Sequence, residues 1–195
     1  MGIKIACIRN KTTVMKKSIV DLLEAYPLPE QKEKPPYQIY CDMDGVLTDF
    51  EGRFDHFTGM NPQEYEREHG TPAFWDLIDN KIGVRFWVGM GWMPQGKALW
   101  DFIKPYQPHL LTSPSRNDTS RLGKNLWSRN NLNPKPKVIF AYSADKQRYA
   151  NDKSILIDDK KSNINEWKAA GGIAFRVKNG DIGPALAGLK ELGYE

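Results

Sequence analysis

Cysteine is scarce in this chain: Cys7 and Cys41 are the only two. That excludes a disulfide-stapled scaffold and fits a reducing compartment. Long apolar runs are missing as well. None approaches the roughly 20 residues that span a bilayer, and the early stretch Gly2–Ile8 is short and broken by Lys4, a poor secretory signal. A cytoplasmic protein with no membrane partner is the expectation. An excess of one charge is absent too: 28 Lys+Arg stand against 24 Asp+Glu, a net of +4, with both signs interleaved. Such a balance does not point to nucleic acid. Histidine is limited to His56, His69 and His109, with no ligand spacing, so no zinc site is expected. What remains is ample. With 195 residues, 40% of them hydrophobic, the chain can bury about 70% of its unfolded surface in one domain.

The pattern changes along the chain. Met15–Tyr26 places Ile19, Leu22, Leu23 and Tyr26 on one helical face, Pro27 and Pro29 end it, and the charged, proline-rich stretch up to Pro36 reads as a linker. Residues 1–36 are therefore expected to be an N-terminal arm, with a partner or homodimer contact as the alternative reading. From Tyr37 on, short apolar runs alternate with helical periodicity. Gln38–Cys41, His109–Thr112, Lys137–Ala141, Ser154–Ile157 and Ile173–Val177 read as strands buried on both faces. Gln95–Lys104, Asp118–Arg129, Ser162–Ala170 and Pro184–Leu192 read as helices. In the second of these Leu122 and Leu126 mark the apolar side and Gly123 weakens the pattern. In the third Ser162 is the expected N-cap. The alternation predicts a parallel α/β sheet. The stretch from Phe54 to about Met93 is too long for one crossover. It holds two helix starts, Asn61-Pro62 and Thr71-Pro72, and many aromatic rings, and is expected to be a small helical insertion over the carboxyl edge of the sheet.

The chemistry collects at the strand ends. The first strand runs into Asp42-Met43-Asp44-Gly45, two carboxylates that repel unless a cation joins them; hard oxygen ligands in a small site suit Mg²⁺. An acidic Asx-type turn is the plain alternative. The second strand ends in Thr112-Ser113-Pro114, whose hydroxyls can hold a phosphate oxygen. Lys146 follows the third, and the fourth ends in Asp158-Asp159. Alone, Lys146 reads as an exposed lysine and Asp158-Asp159 as a helix-start pair. Acid, hydroxyl, ammonium and acid after four apolar runs in turn favour a catalytic constellation. Cys41, on a buried strand, reads as core.

The set DMDGV, TS, K and IDD, in this order from Tyr37 to the C-terminus, resembles the haloacid dehalogenase (HAD) superfamily of phosphotransferases. More narrowly, DMDGVLTDFEGRF, LLTSP, DK and LIDDKKSNINEW resemble the 5'(3')-deoxyribonucleotidase family. The resemblance implies a Rossmann-like three-layer α/β core over residues 37–195 with a small helical cap at about 54–93. It implies Asp42 as nucleophile and Asp44 as general acid and then base. Thr112 and Ser113 would bind the phosphoryl group, and Lys146 would neutralise it. Mg²⁺ would be held by Asp42, Asp159 and the main-chain carbonyl of Asp44, with Asp158 one layer behind.

The implied reaction is hydrolysis of a phosphomonoester, a nucleoside monophosphate and preferably a deoxyribonucleotide. The alternatives are another small phosphorylated metabolite, a nucleic-acid terminal phosphate, or, ranked last, a binding protein on the same fold. Phe50 is carried over as part of a base pocket, with Phe74 and Trp75 as further candidates beside Phe86, Trp87 and Trp92; most of these rings are expected to be core. Arg116, Arg121 and Lys124 read as a solvated helix face.

Overall fold

A computed structural model describes residues 35–195. The helix expected over Met15–Tyr26 and nearly all of the arm lie outside the described residues. Five strands form one parallel sheet, in the spatial order 138–140, 109–112, 38–41, 154–158 and 173–176. They are β1 (Gln38–Cys41), β4 (His109–Thr112), β5 (Val138–Phe140), β6 (Ser154–Asp158) and β7 (Ile173–Arg176). Each is a short run of β-branched and large apolar residues, as a sheet covered on both faces requires. The central register sets Cys41 beside Leu110 on one side and Ile157 on the other. The chain leaves β1 for β4 and β5, then returns to β6 on the far side. The reversal opens a crevice at the carboxyl end of β1, where ligands bind in open α/β sheets.

Alternate residues face opposite layers. Ile39, Cys41, Leu110, Ile155 and Ile157 share the larger core with Leu99 and Ile103 of the Gly96–Ile103 helix and Leu189 of the Gly183–Glu191 helix. Leu111, Leu156 and Ala174 face the other way, onto Ile164 and Trp167 of the Lys161–Ala169 helix. That helix departs from the expectation at its start. Its N-cap is Lys160, with no side-chain cap from Ser162. The Asp158 carboxylate accepts from the Lys160 N–H at 2.8 Å, which satisfies one of the free N–H groups at the helix start.

Between β1 and β4 lies the insertion. A two-residue ribbon closes its base: β2 (Thr48–Asp49) pairs antiparallel with β3 (Gly91–Trp92). Helices Phe50–Thr58, Pro62–Asp76 and Val84–Val88 and a π-helical turn, Leu77–Ile82, fill the space between. Asn61 caps the second helix through Glu64 N. The helix breaks at Gly70 and resumes at Thr71-Pro72, but the Thr71 hydroxyl donates to Glu66 rather than capping. Phe54, Phe74, Ile78, Phe86 and Trp87 are its buried centre.

The Asp118–Asn131 helix joins this insertion to the sheet. Its apolar side is not the expected one. Leu122 is 54% exposed, whereas Ser120, Gly123, Lys124, Trp127 and Ser128 are buried. Gly123, which weakens the helix as a sequence, is required by packing: a Cβ there would stand 2.3 Å from Trp87 Cβ. Trp127 Nε1 donates to Met90 O at 2.8 Å, a second tie to the insertion. No helix among the described residues is long and apolar enough to cross a membrane.

Candidate active site

The turn after β1 aims two carboxylates in different directions. The Met43 carbonyl accepts from the N–H groups of Val46, Leu47 and Thr48, which curls the backbone back on itself. Gly45 takes φ +74°, and a Cβ on it would lie 2.8 Å from Asp159 Oδ2. Only glycine allows both the left-handed turn and that approach. Asp42 stays at the strand end, 7% exposed, accepting from Met43 N at 2.8 Å. Asp44 is carried forward, where Thr48 Oγ1 donates to it at 3.1 Å.

Each carboxylate meets its own buried lysine. Lys146 Nζ lies 2.7 Å from Asp42 Oδ2 and 2.7 Å from Asp158 Oδ2. Burial alone would lower this ammonium, but the Asp42 and Asp158 charges outweigh it and hold it above the ordinary lysine value. Lys124 Nζ lies 2.6 Å from Asp44 Oδ2, 3.0 Å from Thr112 Oγ1 and 2.7 Å from Ser113 O. An ammonium has three protons, and here each has an acceptor. The same Nζ stands 5.0 Å from the Trp87 ring centre.

Asp158 is fully buried and spent on local partners: Lys146, both contacts of Asn163 Nδ2, and Lys160 N. Burial first, then the Asp42 charge, raises its carboxyl. With Asp42 it holds the Lys146 ammonium between two carboxylates. Among the described residues, no cationic side chain forms an ion pair with Asp159. Burial, then the charges of Asp42 and Asp158, push it up to about 7. Ligand oxygens of Asp42, Asp158 and Asp159 all lie within 4.8 Å of one another. With all four carboxylates ionised, they outnumber the two ammonium groups by two charges. The donor set is all oxygen and the deficit is that of one divalent cation, so the residues fit a hard metal ion. Of the three clustered carboxylates, Asp42 and Asp159 line the cavity at the sheet edge, whereas Asp158 is taken up by Lys146, Asn163 and Lys160.

The structure brings Asp42, Asp44, Thr112, Ser113, Lys146, Asp158 and Asp159 to one sheet edge, where a cavity of ≈ 590 Å³ opens. Ser113 lines it. Thr112 is fully buried, holding Lys124 from behind. Phe50 lines the cavity, backed by Phe86 and Trp87 at ring distances of 5.2 and 5.8 Å. Trp75, 38% exposed, lines it as well. Phe74 does not: it is 5% exposed, packed on Phe54 at 5.0 Å inside the insertion. Adjacent helical residues point about 100° apart, so Trp75 faces out where Phe74 faces in.

Three residues escaped the sequence reading or were ranked too low. Lys124 is the main one. Its solvated reading fails because Gly123 and Ser120, not Leu122, mark the inner face. Arg121 and Arg116 do sit at the surface, Arg121 over the Phe140 ring at 5.2 Å. Trp87 and Tyr142 also line the cavity.

No protein-family model matches the sequence, and no curated protein matches it. Solved structures do. The HAD phosphatase from Thermococcus onnurineus superposes with a TM-score of 0.55 at 17% identity, covering 82% of this chain and 99% of that one. The chain has the haloacid dehalogenase fold. A predicted phosphatase from Clostridium acetobutylicum gives a TM-score of 0.47 at 13% identity over 80% of this chain and 90% of that one. A HAD family enzyme from Bacteroides thetaiotaomicron, a magnesium complex, gives 0.46 at 14% identity over 79% and 99%. On the haloacid dehalogenase fold, the cluster built above occupies the carboxyl edge of the sheet, and the insertion after β1 walls the cavity above it.

Proposed function

We propose that this chain is a Mg²⁺-dependent phosphomonoesterase that hydrolyses nucleoside monophosphates through an aspartyl-phosphate on Asp42. The observation that carries the reading is the double pairing at the sheet edge, Asp42 with Lys146 and Asp44 with Lys124, beside Asp159, which lines the cavity. Hydrolysis of a phosphate ester needs a nucleophile, a proton shuttle and positive charge held in place. Asp42 supplies the first. Its carboxylate attacks phosphorus, the ester P–O bond breaks, and the leaving alkoxide takes the proton of an Asp44 that enters the step as the neutral acid. Asp44 then accepts a proton from water, which attacks the aspartyl-phosphate, frees inorganic phosphate and restores Asp42.

Lys146 keeps Asp42 in line and faces the phosphoryl oxygens with positive charge. Lys124 fixes Asp44 and draws the Thr112 and Ser113 turn against it. Asp42, Asp159 and the Asp44 carbonyl would hold Mg²⁺, which when bound supplies further positive charge against the phosphoryl group.

The leaving group is read by the insertion. A cavity of ≈ 590 Å³ is of small-molecule size. Phe50, Trp75, Trp87 and Tyr142 give it aromatic walls, and stacking a base on such rings contributes about 1–3 kcal/mol each. Asp49 and Glu51 on the same wall disfavour the further phosphates of a polynucleotide. A screen for phosphate release across ribo- and deoxyribonucleoside monophosphates and sugar phosphates, with Mg²⁺, tests the reading. Preference for the nucleotides supports it. Release from sugar phosphates alone removes the nucleotide assignment, and equal activity on a phosphorylated oligonucleotide, falling steeply with salt, would mark a nucleic-acid end as substrate.

A further inference from the structure

The insertion buries one charge that this chemistry does not use. Asp79, in the π-helical turn, is 7% exposed. Its Oδ1 accepts from Ser115 Oγ at 2.9 Å and from Thr119 Oγ1 at 3.2 Å. Its neighbour Asn80 accepts through Oδ1 from Asn117 Nδ2 at 3.2 Å. All three donors belong to the segment that leaves β4. Ser115 ends the Ser113–Ser115 segment that follows β4, and Thr119 sits in the first turn of the helix that carries Lys124. A buried carboxylate is costly without donors. Two hydroxyls and the positive end of that helix provide them.

The Ser115 hydroxyl has one proton and two acceptors in reach, Asp79 Oδ1 and Asn117 O at 3.1 Å. The carboxylate is the stronger acceptor. Donation to it leaves Ser115 Oγ able to accept from Asn117 N at 3.3 Å. The Ser115 N–H is already held by Ser120 Oγ at 3.0 Å. Ser115 is thus gripped from the helix on one side and from the insertion on the other. Two residues upstream, Ser113 faces the cavity, and its carbonyl takes a proton of Lys124.

We propose that Asp79 is a positioning residue. From the insertion it holds the Ser113–Ser115 turn in the arrangement that receives the substrate's phosphoryl group. The inference rests on the phosphomonoesterase reading. Without Asp79 the Ser115 hydroxyl turns to Asn117 O and the turn loses its outer anchor, while Lys124 stays fixed by Asp44 and Thr112. Phosphate binding weakens and the chemical step is largely spared.

The test uses the full chain with Mg²⁺ and the variants Asp79→Ala, Asp79→Asn and Ser115→Ala. Three quantities are read: KM and kcat on a nucleoside monophosphate, the dissociation constant of inorganic phosphate, and amide hydrogen exchange over residues 113–120. Asp79→Ala is expected to raise KM and the phosphate dissociation constant about tenfold, as loss of a bond to a charged group does. It should change kcat less than about threefold and speed exchange in the turn. Asp79→Asn keeps an acceptor oxygen and recovers most of the loss. Ser115→Ala reproduces the Asp79→Ala shift, and the double variant adds little to either. Should Asp79→Ala fail to fold, Ser115→Ala and Asp79→Asn decide.

A variant that melts earlier with unshifted KM, phosphate affinity and exchange makes Asp79 a structural residue only and overturns the inference. So does a fall in kcat at constant KM. If the unaltered chain neither binds phosphate nor releases it from a monoester, the phosphomonoesterase reading itself fails. Normal turnover of the unaltered chain with unshifted variants sinks the positioning role alone.

Discussion

The sheet edge and the insertion above it are built on opposite principles. At the sheet edge nearly every polar atom has a partner. Lys124 and Lys146 are 0% and 1% exposed, and the positions of Asp42, Asp44 and Asp158 follow from where strands stop. In the insertion, rings pack on rings: Phe54 on Phe74 at 5.0 Å, Phe86 on Trp87 at 5.1 Å. Of its rings, Phe50, Trp75 and Trp87 reach the cavity. Hydrogen bonds and ion pairs are directional and tolerate little displacement, whereas apolar packing accepts many side chains of similar volume. The polar cluster is therefore held rigidly by the backbone, whereas the rings that face the cavity form a surface that can vary without disturbing it.

Substitutions can break this division. The largest effect is expected at the sheet edge. Asp42→Asn should lower phosphate release by more than about a thousandfold and leave the melting temperature unchanged or raised, because it removes one charge from a crowded carboxylate group. Full activity in that variant ends the nucleophile assignment. Lys124→Met should cost about a hundredfold or more in kcat/KM, as removal of a preorganised charge does, while Arg121→Met on the outer face of the same helix changes it less than twofold. Equal effects would return Lys124 to the surface reading.

Within the insertion the contrast turns on two adjacent rings. Phe74→Ala should cost about 3–5 kcal/mol of stability with little change in KM. Trp75→Ala should cost under about 1 kcal/mol and raise KM several-fold for nucleoside monophosphates but not for a small alkyl phosphate. If the two variants behave alike, the insertion does not divide into core and reading edge.

The smallest effect concerns pH. Without metal, Asp159 binds its proton up to about pH 7, against about 3.9 in an unfolded chain. Its raised value means that the unfolded state ionises first. Stability of the chelated protein therefore falls as pH rises from about 4 to about 7 and then levels. Added Mg²⁺ should raise the melting temperature more at pH 7.5 than at pH 5. An equal shift at both pH values would remove Asp159 from the metal site.

The division also explains what the sequence made legible. The five strands were readable because buried parallel strands are short apolar runs, and the acids were readable because they directly follow those runs. Lys124 was not, because its helix buries a polar stripe. Ser120, Gly123 and Ser128 face inward while Leu122 faces water, which inverts the rule that apolar positions mark the core. The rings of the insertion were countable but not assignable, since neighbours such as Phe74 and Trp75 differ only in direction. The ribbon of Thr48–Asp49 and Gly91–Trp92 is two residues long on each side, too short to show any period.

The approach of Gly123 to Trp87 has a consequence for how this protein could change. With no room for a methyl group between them, any residue but glycine at position 123 would push the Asp118–Asn131 helix away from the insertion and carry Lys124 away from Asp44. The packing of the insertion and the place of the Lys124 charge are geared to each other through one glycine. Trp75, at the mouth of the cavity, carries no such constraint and can be replaced alone.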